Sequence, residues 1–242
     1  MKIFADKTGR FRKRIYYEQS ELDFECEDVI SNFLLSRYGK VNYPIHTDDL
    51  TVLIEQRVSD FDMYADLSNE GPGIEGVTCF IENSKPSVKI SKTLSENNRE
   101  NRLRTTITHE LGHVHFHLPL ISIEFDSPKL PFLDEPINKS TTIVTNKCNR
   151  DSILTATQVD WVEWQAGYAS GAFLMPITPL RQLIQNYFLS NNLPSKIWAN
   201  SIEGKDIIHC TQELFQVSED ASRIRLLKLG YLTEELPPPT IF

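Results

Sequence analysis

The stretch Thr108-His109-Glu110-Leu111-Gly112-His113 contains the pattern H-E-x-x-H, which is typical of the metal-carrying helix of zinc hydrolases. Residues four apart lie on one face of a helix, so His109 and His113 can direct both imidazoles at one metal ion. Glu110 projects beside that position, where it can take a proton from the attacking water without being a ligand. The motif predicts His109 and His113 as metal ligands and Glu110 as the catalytic base.

The residues around this motif predict a helix with two different faces. Between residues 99 and 118 there is no proline, and Gly112 is the only glycine. Apolar residues recur every three or four positions and form a stripe: Leu103, Ile107, Leu111, Val114 and Leu118. At about 100° per residue, this stripe lies nearly opposite His109. We expect the stripe to face the core and the histidines to face a cleft.

A second informative stretch, residues 160–176, reads D-W-V-E-W-Q-A-G-Y-A-S-G-A-F-L-M-P. It predicts a helix that its final proline ends, with Glu163, Gly167 and Ser170 on one face. A glycine inside a helix costs about 1 kcal/mol relative to alanine, so Gly167 and Gly171 indicate close packing against another backbone. Two histidines and one glutamate are a standard ligand set for hydrolytic zinc. Glu163 is therefore predicted as the third ligand.

These two stretches together resemble the ImmA/IrrE family of metallo-endopeptidases. Its members typically carry a helix with H-E-L-G-H and a second helix of the form E-x-x-A-N-x-F-A-x-x-L-M-P. The corresponding segments are His109-Glu110-Leu111-Gly112-His113, Glu163-Trp164-Gln165-Ala166 and Leu174-Met175-Pro176. Gly167 replaces the usual asparagine, Ala169 stands at the usual phenylalanine, and the segment between the motifs is longer than expected. These departures concern the substrate and the cleft more than the zinc chemistry.

The resemblance covers residues 20–180 loosely and is close only in the motifs. It implies a gluzincin-like α+β fold, a Zn2+ cofactor and cleavage of intracellular regulatory proteins. In the relatives, the targets include helix-turn-helix repressors of mobile elements and of stress-response genes. The family pattern also implies His109, His113 and Glu163 as zinc ligands and Glu110 as the catalytic base.

We predict an α+β fold with two regions. Residues 1–178 are expected to form a zincin-like metallopeptidase domain with a small antiparallel sheet packed on helices. Residues 179–242 are expected to form a helical, helix-turn-helix-like region. Residues 76–81 and 87–91 are rich in β-branched side chains and flank a turn, so they predict a hairpin whose exposed edge could hold a peptide substrate. Residues 119–158 form a long, proline-punctuated insert, which predicts a lid or a binding loop.

Several roles near the metal stay open on the sequence. His117 could lie near the metal face and is an alternative third ligand. Against this role, Phe116 stands where the longer H-E-x-x-H-x-x-G-x-x-H pattern requires glycine. Cys148 lies in the insert, and its thiolate could bind zinc and block it. Most such sites need a further oxyanion donor, for which Tyr168, His115 and His117 are the candidates.

Composition favours a soluble cytoplasmic protein. The chain has 242 residues, of which 40% are hydrophobic and 24% are charged, and its formal net charge is -8. No apolar run approaches the roughly 18 residues of a membrane span. The basic N-terminus lacks the apolar core of a signal peptide, and the four scattered cysteines indicate reduced thiols.

The C-terminal region predicts helices joined by a short turn, with Ser218 as an N-cap and Gly230 as a C-cap. Arg223, Arg225 and Lys228 could contact DNA, but the acidic neighbours and the overall charge oppose nucleic-acid binding.

Two functions therefore remain: a zinc endopeptidase acting on a regulator such as a repressor, or a catalytically weak binding module that sequesters a repressor or binds DNA. The complete H-E-x-x-H motif with Glu163 favours the first.

Overall fold

A computed structural model describes residues 1–96, 99–125, 143–149 and 160–235. The strands are β1 (Lys2–Ala5), β2 (Lys13–Tyr16), β3 (Asp60–Ala65), β4 (Ile74–Ile81), β5 (Ser87–Ser91), β6 (Ile143–Asn149), β7 (Ile197–Trp198) and β8 (Leu232–Thr233). The helices are α1 (Gln19–Tyr38), α2 (Thr47–Glu55), α3 (Lys92–Glu96), α4 (Glu100–Gly112), α5 (Leu118–Phe125), α6 (Trp161–Leu174), α7 (Ile177–Ser190), α8 (Ile202–Phe215) and α9 (Glu219–Lys228). A π-helical turn (His113–His117) joins α4 to α5. The mixture of helices with small sheets confirms the predicted α+β class.

The chain divides into two compact units. The first consists of Met1–Glu21 with Thr47–Ser170, and the second consists of Leu22–His46 with Gly171–Phe242. The predicted division has a single boundary at residue 178. The observed units differ from it, because most of α1 belongs to the same unit as the C-terminal helices. Among the described residues, no helix is both long and apolar enough to cross a membrane.

The main sheet of the first unit has the strand order β3-β5-β4-β6. The predicted hairpin is present, since β4 and β5 pair in antiparallel register. The prediction of an antiparallel sheet is wrong at β3, which joins the far side of β5 and runs parallel to it. β4 is also not an edge strand, because β6 pairs with its other side.

The segment 119–158 contains regular structure that its sequence did not indicate. Helix α5 ends within it, and β6 lies near its centre. The buried side chains of β6 are Asn146 and Cys148, and their neighbours Thr145 and Lys147 are exposed. This alternation involves no large apolar residue, so hydrophobic periodicity does not show it. Residues 126–142 and 150–159 of the predicted lid lie outside the described part of the chain.

Helix α4 has the predicted apolar face. Leu103, Ile107 and Leu111 are buried in the core of the first unit. The opposite face is also buried, because His109 and His113 each have 0% exposed surface. The two histidines therefore lie in the interior of the first unit, on the side of the helix away from the apolar stripe.

The second unit contains a buried ion pair between α1 and α9. Nη2 of Arg225 donates to Oδ1 of Asp23 at 2.6 Å and to the carbonyl oxygen of Met175 at 3.3 Å. The predicted N-cap at the start of α9 is confirmed, since Oγ of Ser218 accepts from the backbone N–H of Ala221.

We expect Asp23→Ala to lower the free energy of unfolding by about 3–5 kcal/mol, because it leaves a buried guanidinium without its carboxylate. Equilibrium urea denaturation measures the change. The control is Glu234→Ala, which removes the exposed ion-pair partner of Arg223. Arg223 is on α9, as Arg225 is, and this variant should lower the free energy of unfolding by about 1 kcal/mol or less. Equal effects of the two variants would contradict this account of the buried pair.

Candidate metal centre

Three side chains from two helices meet in the interior of the first unit. Nε2 of His109 on α4 and Nε2 of His113, the first residue of the π-helical turn, lie 3.1 Å apart, as their i, i+4 spacing predicts. Glu163 approaches from the first turn of α6, with Oε2 at 3.1 Å from Nε2 of His109 and Oε1 at 3.4 Å from Nε2 of His113. The structure therefore brings together all three residues predicted as ligands.

The spacing and chemistry of these donors suit a zinc ion. Zinc bonds of about 2.0–2.1 Å in a tetrahedral arrangement place neighbouring ligand atoms about 3.3 Å apart. The three observed separations are 3.1, 3.1 and 3.4 Å. His109, His113 and Glu163 form a buried group that could hold a metal ion. The distances between their ligand atoms are close to those of a tetrahedral zinc site.

The fourth predicted residue, Glu110, lies beside the ligands under strand β4. Its Oε2 accepts a hydrogen bond of 2.5 Å from Oγ1 of Thr78. Its Oε1 is buried and has no hydrogen-bond partner among the described residues. Thr78 thus holds one oxygen of this carboxylate, and the ligand atoms of His109 and Cys148 lie within 4.8 Å of it.

Gly76 makes room for Glu110. A Cβ atom at this position would lie 2.2 Å from Oε1 and 2.8 Å from Cδ of Glu110. Neither Gly76 nor Thr78 can be recognised from the sequence, because nothing in a β-branched strand shows which of its residues will face a helix far along the chain. The ion pair of Arg102 on α4 with the buried Glu75 fixes β4 at this place.

Strand β6 supplies further polar groups on the same face as Gly76 and Thr78. In the register of the two strands, Gly76 is opposite Cys148 and Thr78 is opposite Asn146. Ligand atoms of His109, Glu110 and Cys148 all lie within 4.8 Å of one another and form a second group that could hold a metal. Because the two groups share His109, the Cys148 thiol stays a candidate ligand beside the predicted set.

Burial and mutual charge set the ionisation of the site. Burial raises the pKa of Glu110. Burial opposes ionisation of Glu163 as well, but the nearby His113 and His109 outweigh it and lower the pKa of that carboxyl. For His113, the carboxylate of Glu163 overcomes the effect of burial and raises the pKa. Burial and the proximity of Glu110 raise the pKa of the Cys148 thiol well above its usual value.

Helix α6 reaches the site because it packs unusually close to α4. A Cβ at Gly112 would lie 3.1 Å from Cα of Ala166 and 3.3 Å from Cβ of Ala169. Oγ of Ser170 lies 2.9 Å from Oγ1 of Thr108, the residue just before the first histidine. The close approach was expected at the glycines of α6, but at Gly171 an added Cβ would meet only side-chain atoms at ordinary distances.

The candidate oxyanion donors occupy different surroundings. Both ring nitrogens of His117 are engaged, by His113 at 3.0 Å and by Gln165 at 3.1 Å. Tyr168 is buried and packs against Trp164. His115 is half-buried and its ring contacts that of the neighbouring Phe116. Burial and the adjacent His113 lower the pKa of His117 to about 3, so its ring is neutral at physiological pH.

The basic residues of α9 are less available to DNA than their sequence suggests. Arg225 is buried in its ion pair with Asp23. Arg223 donates to Oδ1 of Asn200 at 2.9 Å. Burial lowers the pKa of Lys228 to about 8, and this side chain is half-buried.

Comparison with known proteins adds no family to these observations. No protein-family model matches the chain, and a search of the curated proteins finds no significant match.

We expect Gly76→Ala to destabilise the chain by about 1–3 kcal/mol, because its methyl group overlaps the carboxylate of Glu110. In a Glu110→Ala background the same substitution should cost much less, since the overlapping atoms are gone. Urea denaturation of the two single variants and the double variant forms a thermodynamic cycle. Additive effects would show that Gly76 does not act through Glu110.

Proposed function

We propose that this chain is a zinc-dependent endopeptidase. The observation that carries the proposal is the convergence of His109, His113 and Glu163 at 3.1–3.4 Å, with the open oxygen of Glu110 beside them. This combination of three buried ligands and an adjacent carboxylate base is the one that metal-assisted hydrolysis of a peptide bond uses.

Each residue then has a definite task. His109, His113 and Glu163 would hold a zinc ion, which supplies a Lewis acid that lowers the pKa of water and polarises a carbonyl group. Glu110 takes the proton of the attacking water on Oε1, because Thr78 occupies Oε2. The same oxygen then delivers the proton to the leaving amine.

The substrate class rests on the resemblance to the ImmA/IrrE family. We propose a cytoplasmic regulatory protein, such as a helix-turn-helix repressor, as the target.

Burial of the site also favours a second candidate function. His109, His113 and Glu110 have 0% exposed surface and Glu163 has 7%, which suits a binding module that recognises a repressor without cleaving it. In that case the metal centre would stabilise the fold, as closed zinc sites do.

We expect the purified wild-type chain to contain about one zinc per molecule. Glu163→Ala should lose most of the metal, because only two histidines remain from the ligand set. Cys148→Ala should retain it, since the thiol belongs to the other group of donors. Elemental analysis after zinc loading and dialysis measures all three proteins. Zinc lost in Cys148→Ala but kept in Glu163→Ala would overturn the assignment of the third ligand.

We expect Glu110→Gln to retain zinc and to lose peptidase activity by about 10²- to 10⁴-fold, the usual contribution of a general base. The assay uses a proteome-derived peptide library, with new termini identified by mass spectrometry. The matched control is Glu55→Gln, which alters an exposed glutamate at the end of α2 and should leave cleavage unchanged. If the zinc-loaded wild type and Glu110→Gln are equally inactive, the binding module becomes the better conclusion.

A further inference from the structure

A chain of buried hydrogen bonds leads from the metal centre to strand β2. Nδ1 of His113 lies 3.0 Å from Nδ1 of His117, and Nε2 of His117 lies 3.1 Å from Oε1 of Gln165. Nε2 of Gln165 then donates to the carbonyl oxygen of Ile15 at 2.9 Å. All four residues are buried.

The hydrogen bond from Gln165 to Ile15 determines which atom donates in each of the other hydrogen bonds. A backbone carbonyl only accepts, so the amide nitrogen of Gln165 faces Ile15 and its amide oxygen faces His117. That oxygen requires a proton on Nε2 of His117. The hydrogen-bond partners of this buried ring are an amide and an imidazole, not a carboxylate, so the ring is neutral and has a lone pair on Nδ1. The lone pair accepts from an N–H at Nδ1 of His113. The remaining lone pair of His113 is then on Nε2, the atom that faces His109 and Glu163.

The π-helical turn brings the two rings together. Residues His113–His117 form hydrogen bonds of the π type, which widen one turn of the helix. His113 can therefore direct one nitrogen at the ligand cluster and the other at His117. Such turns often occur at functional sites.

A competing arrangement involves Asn146. Its amide nitrogen lies 3.4 Å from Nδ1 of His113, while its amide oxygen accepts from Nη2 of Arg10 at 2.7 Å. If Asn146 donated to Nδ1, the proton of His113 would be on Nε2 and the ring could not bind a metal through that atom. The contact with His117 is shorter, at 3.0 Å, and favours the opposite tautomer.

We infer that His117 and Gln165 are positioning residues that hold His113 in the tautomer needed for zinc binding. The inference rests on the proposed metal site, because His113 is its ligand there. Second partners of this kind usually accept the free N–H of a ligating histidine, and their loss weakens metal binding about 10- to 100-fold. In this chain the acceptor for His113 is the neutral imidazole of His117, which Gln165 orients. A carboxylate or a backbone carbonyl is the more common acceptor.

The hydrogen-bonded series His113, His117, Gln165 and Ile15 is called the relay below. Two measurements test it. Nuclear magnetic resonance of the wild-type chain with 15N-labelled histidine reports the tautomer of each ring, with and without zinc. His117 should carry its proton on Nε2, and His113 should carry its own on Nδ1 when zinc is bound. Zinc dissociation constants, measured by competition with a chromophoric chelator, should rise about 10- to 100-fold in His117→Phe, which keeps a ring but removes the acceptor.

Two further variants separate the relay from packing. His117→Gln should recover most of the affinity, because its amide oxygen can accept from His113 and its amide nitrogen can donate to Gln165. Phe116→Leu reduces the volume of a buried apolar neighbour on the same turn and should leave the zinc affinity within about twofold of the wild type, because it removes no polar contact of His113 or His117.

The outcomes distinguish this inference from the proposed function. Normal zinc affinity in His117→Phe, or a His117 ring protonated on Nδ1, overturns the relay and leaves the peptidase proposal intact. Failure of the wild type to bind zinc overturns the proposed function, while the tautomers of the zinc-free chain still report on the relay. The resonance measurement needs only the wild type, so it decides the question even if a variant does not fold.

Discussion

The short distance between helices α4 and α6 is the constraint on which the candidate site depends. Gly112 allows it, because the backbone of Ala166 occupies the space that a side chain would need. The contact between Thr108 and Ser170 fixes the helices one turn further on. Glu163 lies two turns before Ser170 on the same face, so this packing sets how far its carboxylate reaches toward the histidines. A separation larger by an ångström would place the carboxylate beyond a shared metal.

The parts of this arrangement that depend on local periodicity could be predicted from the sequence. The spacing of His109 and His113 determines that their rings share one face of the continuous helix formed by α4 and the π-helical turn. The pattern around Glu163 indicates a helix with one carboxylate among small residues. Glu110 follows from its place between the histidines. The strands β4 and β5 could be recognised for a similar reason, since β-branched side chains flank a turn between them.

The parts that depend on tertiary register could not be predicted. Gly76 and Thr78 face Glu110 only because β4 crosses α4 at one position. Gln165 bonds to Ile15, which is distant in sequence, and no local pattern marks that contact. The π-helical turn is a change in hydrogen bonding that hydrophobic spacing does not encode. Strand β6 buries Asn146, an amide that reads as a surface residue when only the sequence is considered.

Burial of the donor atoms has a kinetic consequence. A metal ion bound among His109, His113 and Glu163 would be held by groups with little contact with solvent, since the two imidazoles have 0% accessible surface and Glu163 has 7%. Loading and loss of the ion would both wait for a local opening of the protein. A chelator in excess would therefore strip the chain at the rate of that opening, whatever the chelator's own strength. Residence time and affinity at this centre would be set by different parts of the structure.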